Sequence, residues 1–279
     1  TTGASVFKNI EALPKSILWW RALTHWMGGM GILLLVVAIL PFLKVAGLHL
    51  FSTDSSGIGT EKLYPKISQS ARRLWWIYLS LTVLESILLY AGEMNLFESI
   101  VHSFSTISTG GFGVKNDSIA SYSAYSQYII ACFMTISGIN FILLYYLLKL
   151  SVKQVFKNEE FKVFAFLLCS CVLFVALGLF FKTNTTLELA FRKAFFQVSS
   201  ILSTTGLTTD NYLNWPSMCW TIIFLLMFIG ACSGSAGGGV KVVRLILSFK
   251  VFRKTISRLY HPKAIITLSL NGKKMEDAV

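Results

Sequence analysis

Apolar residues run through this chain in long blocks rather than in the half-buried periodicities of a soluble domain. Uncharged stretches over 26–43, 128–148 and 163–181 each approach or reach the roughly 20 apolar residues that a helix needs to cross a bilayer. A fourth, 74–92, is interrupted once, at Glu85. The longest, 211–240, contains a Gly/Ser cluster that an ordinary spanning helix would avoid. The pattern predicts an all-α polytopic membrane protein with helices over these runs.

Between the long runs lie shorter, more polar segments, and they repeat. Thr1-Thr2-Gly3, Ser108-Thr109-Gly110 (followed by Gly111) and Thr204-Thr205-Gly206 are three copies of Ser/Thr-Thr-Gly. The second and third follow amphipathic stretches that begin near Asn95 and Thr186. Their glycines are 107 and 96 residues apart, too long a period for a solenoid and suited to a multi-helix module. Each module reads as a basic connection, a spanning helix, a short turn, a 12 to 18-residue segment ending in the trio, and a second apolar helix. The expected units are 1–50 (end of a first repeat), 51–155 (a second), 156–260 (a third) and 261–279 (the start of a fourth).

Composition strengthens the membrane reading. The 279 residues are 54% hydrophobic and 14% charged, with a mean hydropathy of +0.64. Soluble domains carry about a quarter charged residues. The net charge of +12 could suggest nucleic acid, but its distribution excludes that partner. The connections 44–73, 149–162 and 241–263 hold 16 of the 25 Lys and Arg, a positive-inside asymmetry that places all three on the cytoplasmic side. With both flanking connections on one side, each short segment must enter and leave by the same face, and so is re-entrant. Cys132, Cys169, Cys171, Cys219 and Cys232 all lie in apolar runs without a zinc-type spacing, and read as buried, inert thiols.

Non-helical backbone at membrane depth is tolerated where it is buried in protein or lines a water-filled path. Glycine there lets successive carbonyls point at one axis, and carbonyls can replace a cation's hydration shell, with threonine hydroxyls as possible helpers. The candidate filter residues are therefore Thr1, Thr2, Gly3, Ser108, Thr109, Gly110, Gly111, Thr204, Thr205 and Gly206. A bound cation would sit at Thr2, Gly3, Thr109, Gly110, Thr205 and Gly206. In each second helix, small or polar residues interrupt the apolar run about 25 to 30 residues after the glycine: Gly28, Gly29 and Gly31, then Ser137, Gly138 and Asn140, then 230–239. For the first two, close helix packing and pore lining are equal readings. The third, with Gly230, Ser233, Gly234, Ser235, Gly237, Gly238 and Gly239, is too glycine-rich to stay helical and should form an intramembrane loop able to obstruct the path. It is not a phosphate loop, because Gly239 is followed by Val240 and Lys241 rather than by Lys-Ser/Thr.

Other charged residues fit less readily. Asp117 and Asp210 follow the second and third trios and should lie at an outer mouth, either drawing cations or simply solvated. Glu98 either braces the filter from behind or, more simply, suits the positive end of its short helix. Arg192 and Lys193 oppose the dipole of theirs, and snorkelling to the outer headgroups is the one account the sequence offers. Arg21 and Glu85 are charges at membrane depth, where a functional role is the default expectation. His25 and His102 read as polar packing partners of the filter helices.

The stretches "TTGAS", "LPKSILWWRALTHWMGGMGILLLVVAILP", "HSFSTISTGGF", "SILSTTGLTT" and "GACSGSAGGGVKVVRLI" resemble the potassium-transporting subunits of the Trk/Ktr/HKT superfamily, nearest the bacterial TrkH type. The resemblance implies four helix–pore-loop–helix repeats around a pseudo-fourfold pore. It implies a broken third-repeat helix whose loop gates conduction, and filter glycines at Gly3, Gly110 and Gly206. It further implies K⁺ as the transported ion with no organic cofactor on the chain, and a location in the bacterial inner membrane among lipid. A homodimer, and a cytosolic nucleotide-binding regulatory subunit as the route by which nucleotide acts, belong to the same implication. By this comparison the first repeat starts inside its filter and the fourth is missing, so the chain is expected to be part of a longer protein. Two rivals stand beside it. A cation-coupled symporter of another solute could also use broken helices. An N-terminal threonine hydrolase would use the amine of Thr1 but would leave the two downstream echoes unexplained; an enzyme is not expected.

Overall fold

The structure, a computed structural model, describes residues 1, 3–31, 67–183, 185–260, 269–271 and 273–274. Thr2, the stretch 32–66 with most of the first basic connection, and 261–263 of the third lie outside the described residues. So does the predicted span 26–43 from residue 32 on.

The described elements are α1 (Lys15–Gly29), α2 (Ile67–Ala91), α3 (Leu96–Ile107), α4 (Ala124–Ser137), α5 (Phe141–Leu148), α6 (Val152–Lys157), α7 (Glu159–Thr183), α8 (Leu187–Leu202), a 3-10 turn (Tyr212–Asn214), α9 (Ser217–Leu226) and α10 (Val242–Tyr260). A short antiparallel hairpin, β1 (Ser269–Leu270) with β2 (Lys273–Lys274), follows. Among the described residues, α2 over 72–91 and all of α7 are long and apolar enough to cross a membrane.

The two short amphipathic segments start where their capping residues dictate. The Asn95 side chain accepts from the backbone N–H of Glu98, and the Thr186 side chain from that of Leu189. Each satisfies one of the N–H groups that a helix start leaves open. At 1.5 Å per residue, the 12 residues of α3 and 16 of α8 reach about 18 and 24 Å, short of a bilayer's roughly 30 Å core. Glu98 sits in the first turn of α3, where a negative charge meets the positive end of the dipole.

Two of the apolar runs do not stay helical throughout. The run over 128–148 is divided into α4 and α5, which meet at 106°. Gly138 ends the first helix, and the Asn140 side chain accepts from Ile142 N–H to begin the second. The freed N–H of Phe141 donates to the carbonyl of Gly234, so a distant loop completes the break. In the run over 211–240, helix is confined to α9 and resumes at Val242 after the Gly/Ser cluster.

The two short helices pack in the same way. Helix α3 lies against α1 and α2, and α8 lies against α4 and α7. Each short helix is thus wedged between the long helix that directly precedes it and a helix from earlier in the chain. Close approach is enforced at Gly178 of α7, where a Cβ would stand 2.6 Å from Cys219 Sγ of α9. The thiols are free, as expected, but not uniformly buried. Cys219 and Cys232 are buried, Cys171 is half-buried, and Cys132 and Cys169 are exposed on outward helix faces. An apolar outer face of a membrane helix accepts a thiol as a small hydrophobe, so a cysteine in an apolar run need not be in the core.

Candidate functional site

The second and third trios end their short helices in the same conformation. After α3, Ser108 is the C-cap (φ −77°, ψ −4°), Thr109 takes φ 54° and Gly111 takes φ 84°. After α8, Ser203 is the C-cap (φ −79°, ψ −8°), Thr204 takes φ 60° and Gly206 takes φ 85°. Gly110 N–H donates to Ser105 O and Thr205 N–H to Ser200 O, again five residues back. The equivalent residues are therefore Thr109 and Thr204, Gly110 and Thr205, Gly111 and Gly206. This moves the register by one from the sequence alignment: the counterpart of Gly206 is Gly111, not Gly110. Gly3, at φ 66°, joins the same set.

The three turns lie side by side. A Cβ on Gly3 would come within 2.6 Å of the Gly110 carbonyl oxygen, and one on Gly111 would strike the Thr205 carbonyl oxygen. Each glycine meets the equivalent residue of the next turn, so the three turns are stacked in one repeated way. Each glycine thus packs directly on a carbonyl oxygen of the next turn, an approach that any side chain would block. The threonine hydroxyls have other partners. Thr109 donates to Ser108 O, Thr205 is bonded to Ser203, and Thr204 Oγ1 accepts from Gly238 N–H. Each of these hydroxyls is thus engaged within the protein.

Helix α1 braces the second turn from behind. The His25 ring stacks on Phe112 at 3.7 Å and fills the space beside Gly110, where a Cβ would collide with the imidazole. Arg21 lies over Phe112 (4.2 Å to the ring centre) and donates to Ser5 Oγ at 3.1 Å, so it joins the first and second strands. Sequence reasoning left Arg21 without a partner, and its aromatic neighbour 91 residues away carried no signal. His102 is fully buried beside Tyr122 on the outer side of α3, as a packing residue. Glu85 is completely buried within α2. The interruption at Gly29 is a packing feature, since a Cβ there would stand 2.5 Å from Ser108 Cα. The one at 137–140 supports the loop below: Gly138 O accepts from Cys232 N–H at 3.0 Å.

Beyond the turns, Ile119 N–H donates to Thr208 O and Thr208 N–H to Ser118 Oγ, which binds the segments after the second and third turns. Asn116 ties the first to the second, receiving from Ile10 N–H at 2.8 Å and donating to Asn9 Oδ1 at 2.9 Å. Arg192 and Lys193 are accounted for here. Arg192 pairs with Glu188 one turn earlier (3.0 Å) and donates to Gln127 Oε1 of α4 (3.0 Å). Lys193 pairs with Asp210 at 2.5 Å, and Trp215 Nε1–H also donates to that carboxylate. Asp210 is thus engaged rather than simply solvated, whereas Asp117 is exposed.

Partial burial works to raise the Asp210 carboxyl, but hydrogen bonds from Lys193 and Trp215 outweigh it and hold it below the ordinary aspartate value. A depressed folded value stabilises the structure above the unfolded pKa of about 3.9, and the gain is lost as pH falls through the folded value. The thermal-stability difference between wild type and Asp210→Asn should therefore be constant above about pH 5 and shrink toward zero in stronger acid. A difference that stays level with acidification would remove the ion pair from the account.

The candidate loop, 230–239, lies directly beneath the third turn. It is closed at its base by Gly230 N–H to Val240 O (2.9 Å) and by Val242 N–H to Ala231 O (3.3 Å). Gly234 and Gly239 both take φ 70°, and Lys241 Nζ donates to Gly237 O. At the tip, Gly238 N–H donates to Thr204 Oγ1 at 2.6 Å, and a Cβ on Gly237 would stand 2.8 Å from Ser203 O. Ser233 faces Glu160, and Ser235 Oγ donates to Cys232 O.

Long apolar helices, two short helices between them that end in glycine turns, and the packing of those turns on one another define a polytopic helical membrane protein. The chain belongs to the TrkH family of cation transport proteins, which matches residues 1–279. It is 37% identical over 283 residues to the Trk system potassium uptake protein TrkH of Escherichia coli K12, and 32% identical over 284 residues to that organism's TrkG. These alignments cover 100% of this chain but 59% and 58% of the relatives, so it spans somewhat over half their length. Among solved structures, the crystal structure of the potassium transporter TrkH from Vibrio parahaemolyticus is similar, with a TM-score of 0.82 and 36% identity over 98% of this chain and 56% of that one.

Proposed function

We propose that this chain forms most of the pore wall of a potassium uptake protein. Thr1, Thr2, Gly3, Ser108 to Gly111 and Thr204 to Gly206 supply carbonyls to the filter, and the 230–239 loop obstructs the path below. K⁺ is the cargo: it sheds water at the filter and is held by carbonyl oxygens instead. The observation that carries this reading is the packing of Gly3 on the Gly110 carbonyl and of Gly111 on the Thr205 carbonyl. Two neighbouring turns repeat one contact, as strands around a shared axis must. The partially negative C-terminal ends of α3 and α8 lead directly into these turns, which favours a cation there. Residues 51–155 and 156–260 are the second and third repeats of this pore, with 1–50 the end of the first and 261–279 the start of the fourth, and the basic connections 44–73, 149–162 and 241–263 face the cytoplasm of a bacterial inner membrane. A second copy of the chain and a nucleotide-binding regulatory subunit are the proposed partners.

The test is ion flux into liposomes carrying the intact protein. K⁺ and Rb⁺ should enter down their gradients and Na⁺ much more slowly. Equal entry of Na⁺, or uptake of K⁺ only together with an added organic solute, would replace the filter reading with the symporter one.

A further inference from the structure

Glu160 stands in the first turn of α7 and is 4% exposed. A buried carboxylate is costly unless it is fully hydrogen-bonded. Three donors meet this one: Ser233 N–H at 2.6 Å and Val243 N–H at 3.2 Å on Oε1, and Ser233 Oγ–H at 3.0 Å on Oε2. Ser233 belongs to the 230–239 loop, and Val243 lies in the opening turn of α10, just beyond it. The first N–H groups of a helix have no intrahelical partner and carry a partial positive charge. Glu160 therefore caps α10 from another helix while gripping the loop that precedes it. Both flanks of the loop are fastened to one side chain.

The tip of the loop depends on that base. Its contacts with the third filter turn are the Gly238 N–H bond to Thr204 and the glycine-tight approach of Gly237 to Ser203. Residue 159 carries a second connection. Glu159 pairs with Lys250 of α10, and its N–H and Oε1 exchange hydrogen bonds with Asn271 of the β-hairpin (2.8 and 3.2 Å). One turn of α7 thus holds the intramembrane loop through Glu160 and the hairpin through Glu159.

We propose that Glu160 is the latch that holds the 230–239 loop against the third filter turn, and that the hairpin steadies this latch through Glu159. It is a positioning residue and touches no permeating ion. Its role in permeation rests on the potassium reading above, but its hold on the loop can be read without transport. Cys232 is fully buried next to Ser233 and reports the loop's position.

In the intact protein in liposomes, modification of Cys232 by a methanethiosulfonate reagent, followed by mass spectrometry, should be at least about tenfold faster in Glu160→Ala than in wild type. Loss of even one hydrogen bond to a charged group shifts an equilibrium by about that factor. Rb⁺ flux should rise in parallel, with the Rb⁺ to Na⁺ ratio unchanged, and Glu160→Gln, which keeps an acceptor, should lie between the two. A wild-type Cys232 rate in folded Glu160→Ala overturns the latch. If that variant does not fold, Ser233→Ala and Glu160→Gln decide, and wild-type rates in both overturn it. A wild-type rate in Asn271→Ala overturns the hairpin's part. Failure of the potassium reading is separately visible, because wild-type protein would then pass no Rb⁺ whatever Cys232 does.

Discussion

Potassium uptake by Gly111→Ala should fall more than tenfold in the intact protein, although the substitution adds a single methyl group. Two penalties coincide at this position. At φ 84° a Cβ is strained by about 1–2 kcal/mol, and about 1.4 kcal/mol is already a factor of ten. The methyl group would also strike the Thr205 carbonyl oxygen of the neighbouring turn, which is backbone and not the end of a flexible side chain. Either Thr205 O turns from the axis or the second turn retreats, and both spoil the oxygen spacing that replaces a hydration shell. Gly110→Ser should be harmful for a different reason, since its Cβ meets the His25 ring. A joint His25→Ala substitution should restore part of its flux and none of that of Gly111→Ala. Flux of K⁺ and Na⁺ in proteoliposomes measures both. Undiminished K⁺ flux with undiminished selectivity in Gly111→Ala would take this residue out of the filter.

Removal of residues 237–239 should act in the opposite direction and raise K⁺ flux about tenfold, the effect of lowering a barrier by about 1.4 kcal/mol. The deletion withdraws the groups that press on the third turn, the N–H of Gly238 and the backbone of Gly237. It leaves the loop's hold on Glu160 through Ser233 in place. Selectivity should be preserved, because the carbonyls of 109–111 and 204–206 belong to turns set by α3 and α8. Flux unchanged by the deletion would show that the loop does not limit permeation. A rise accompanied by lost selectivity would show that the Thr204 contact shapes the filter rather than closing the path.

Much of this architecture was legible in the sequence because membrane insertion leaves few choices. Backbone groups in hydrocarbon must bond within a helix, so the apolar runs over 74–92 and 163–181 could become little other than α2 and α7. The starts of α3 and α8 were legible at Asn95 and Thr186, since an N-cap is a local interaction completed within three residues. The Gly/Ser cluster at 230–239 announced a break because glycine-rich backbone gains too little from remaining helical. The trios were visible as repeats, but their register was not. "STGG" and "STTG" can be aligned on either glycine by residue type, and only the φ angles and the bonds to Ser105 and Ser200 choose Gly111.

What the sequence by itself determined was therefore whatever depends on neighbours along the chain: which segments are apolar, where short helices begin, and where glycine interrupts them. The tertiary structure alone decided what depends on groups brought from far away. The 106° bend at 138–140 is completed by Gly234, Arg192 and Lys193 are resolved by Gln127 and Asp210, and the loop is held by Glu160, 73 residues before Ser233. The physical reason is common to all three. A buried polar group must find a partner somewhere, but nothing in its own segment states which distant group will supply it.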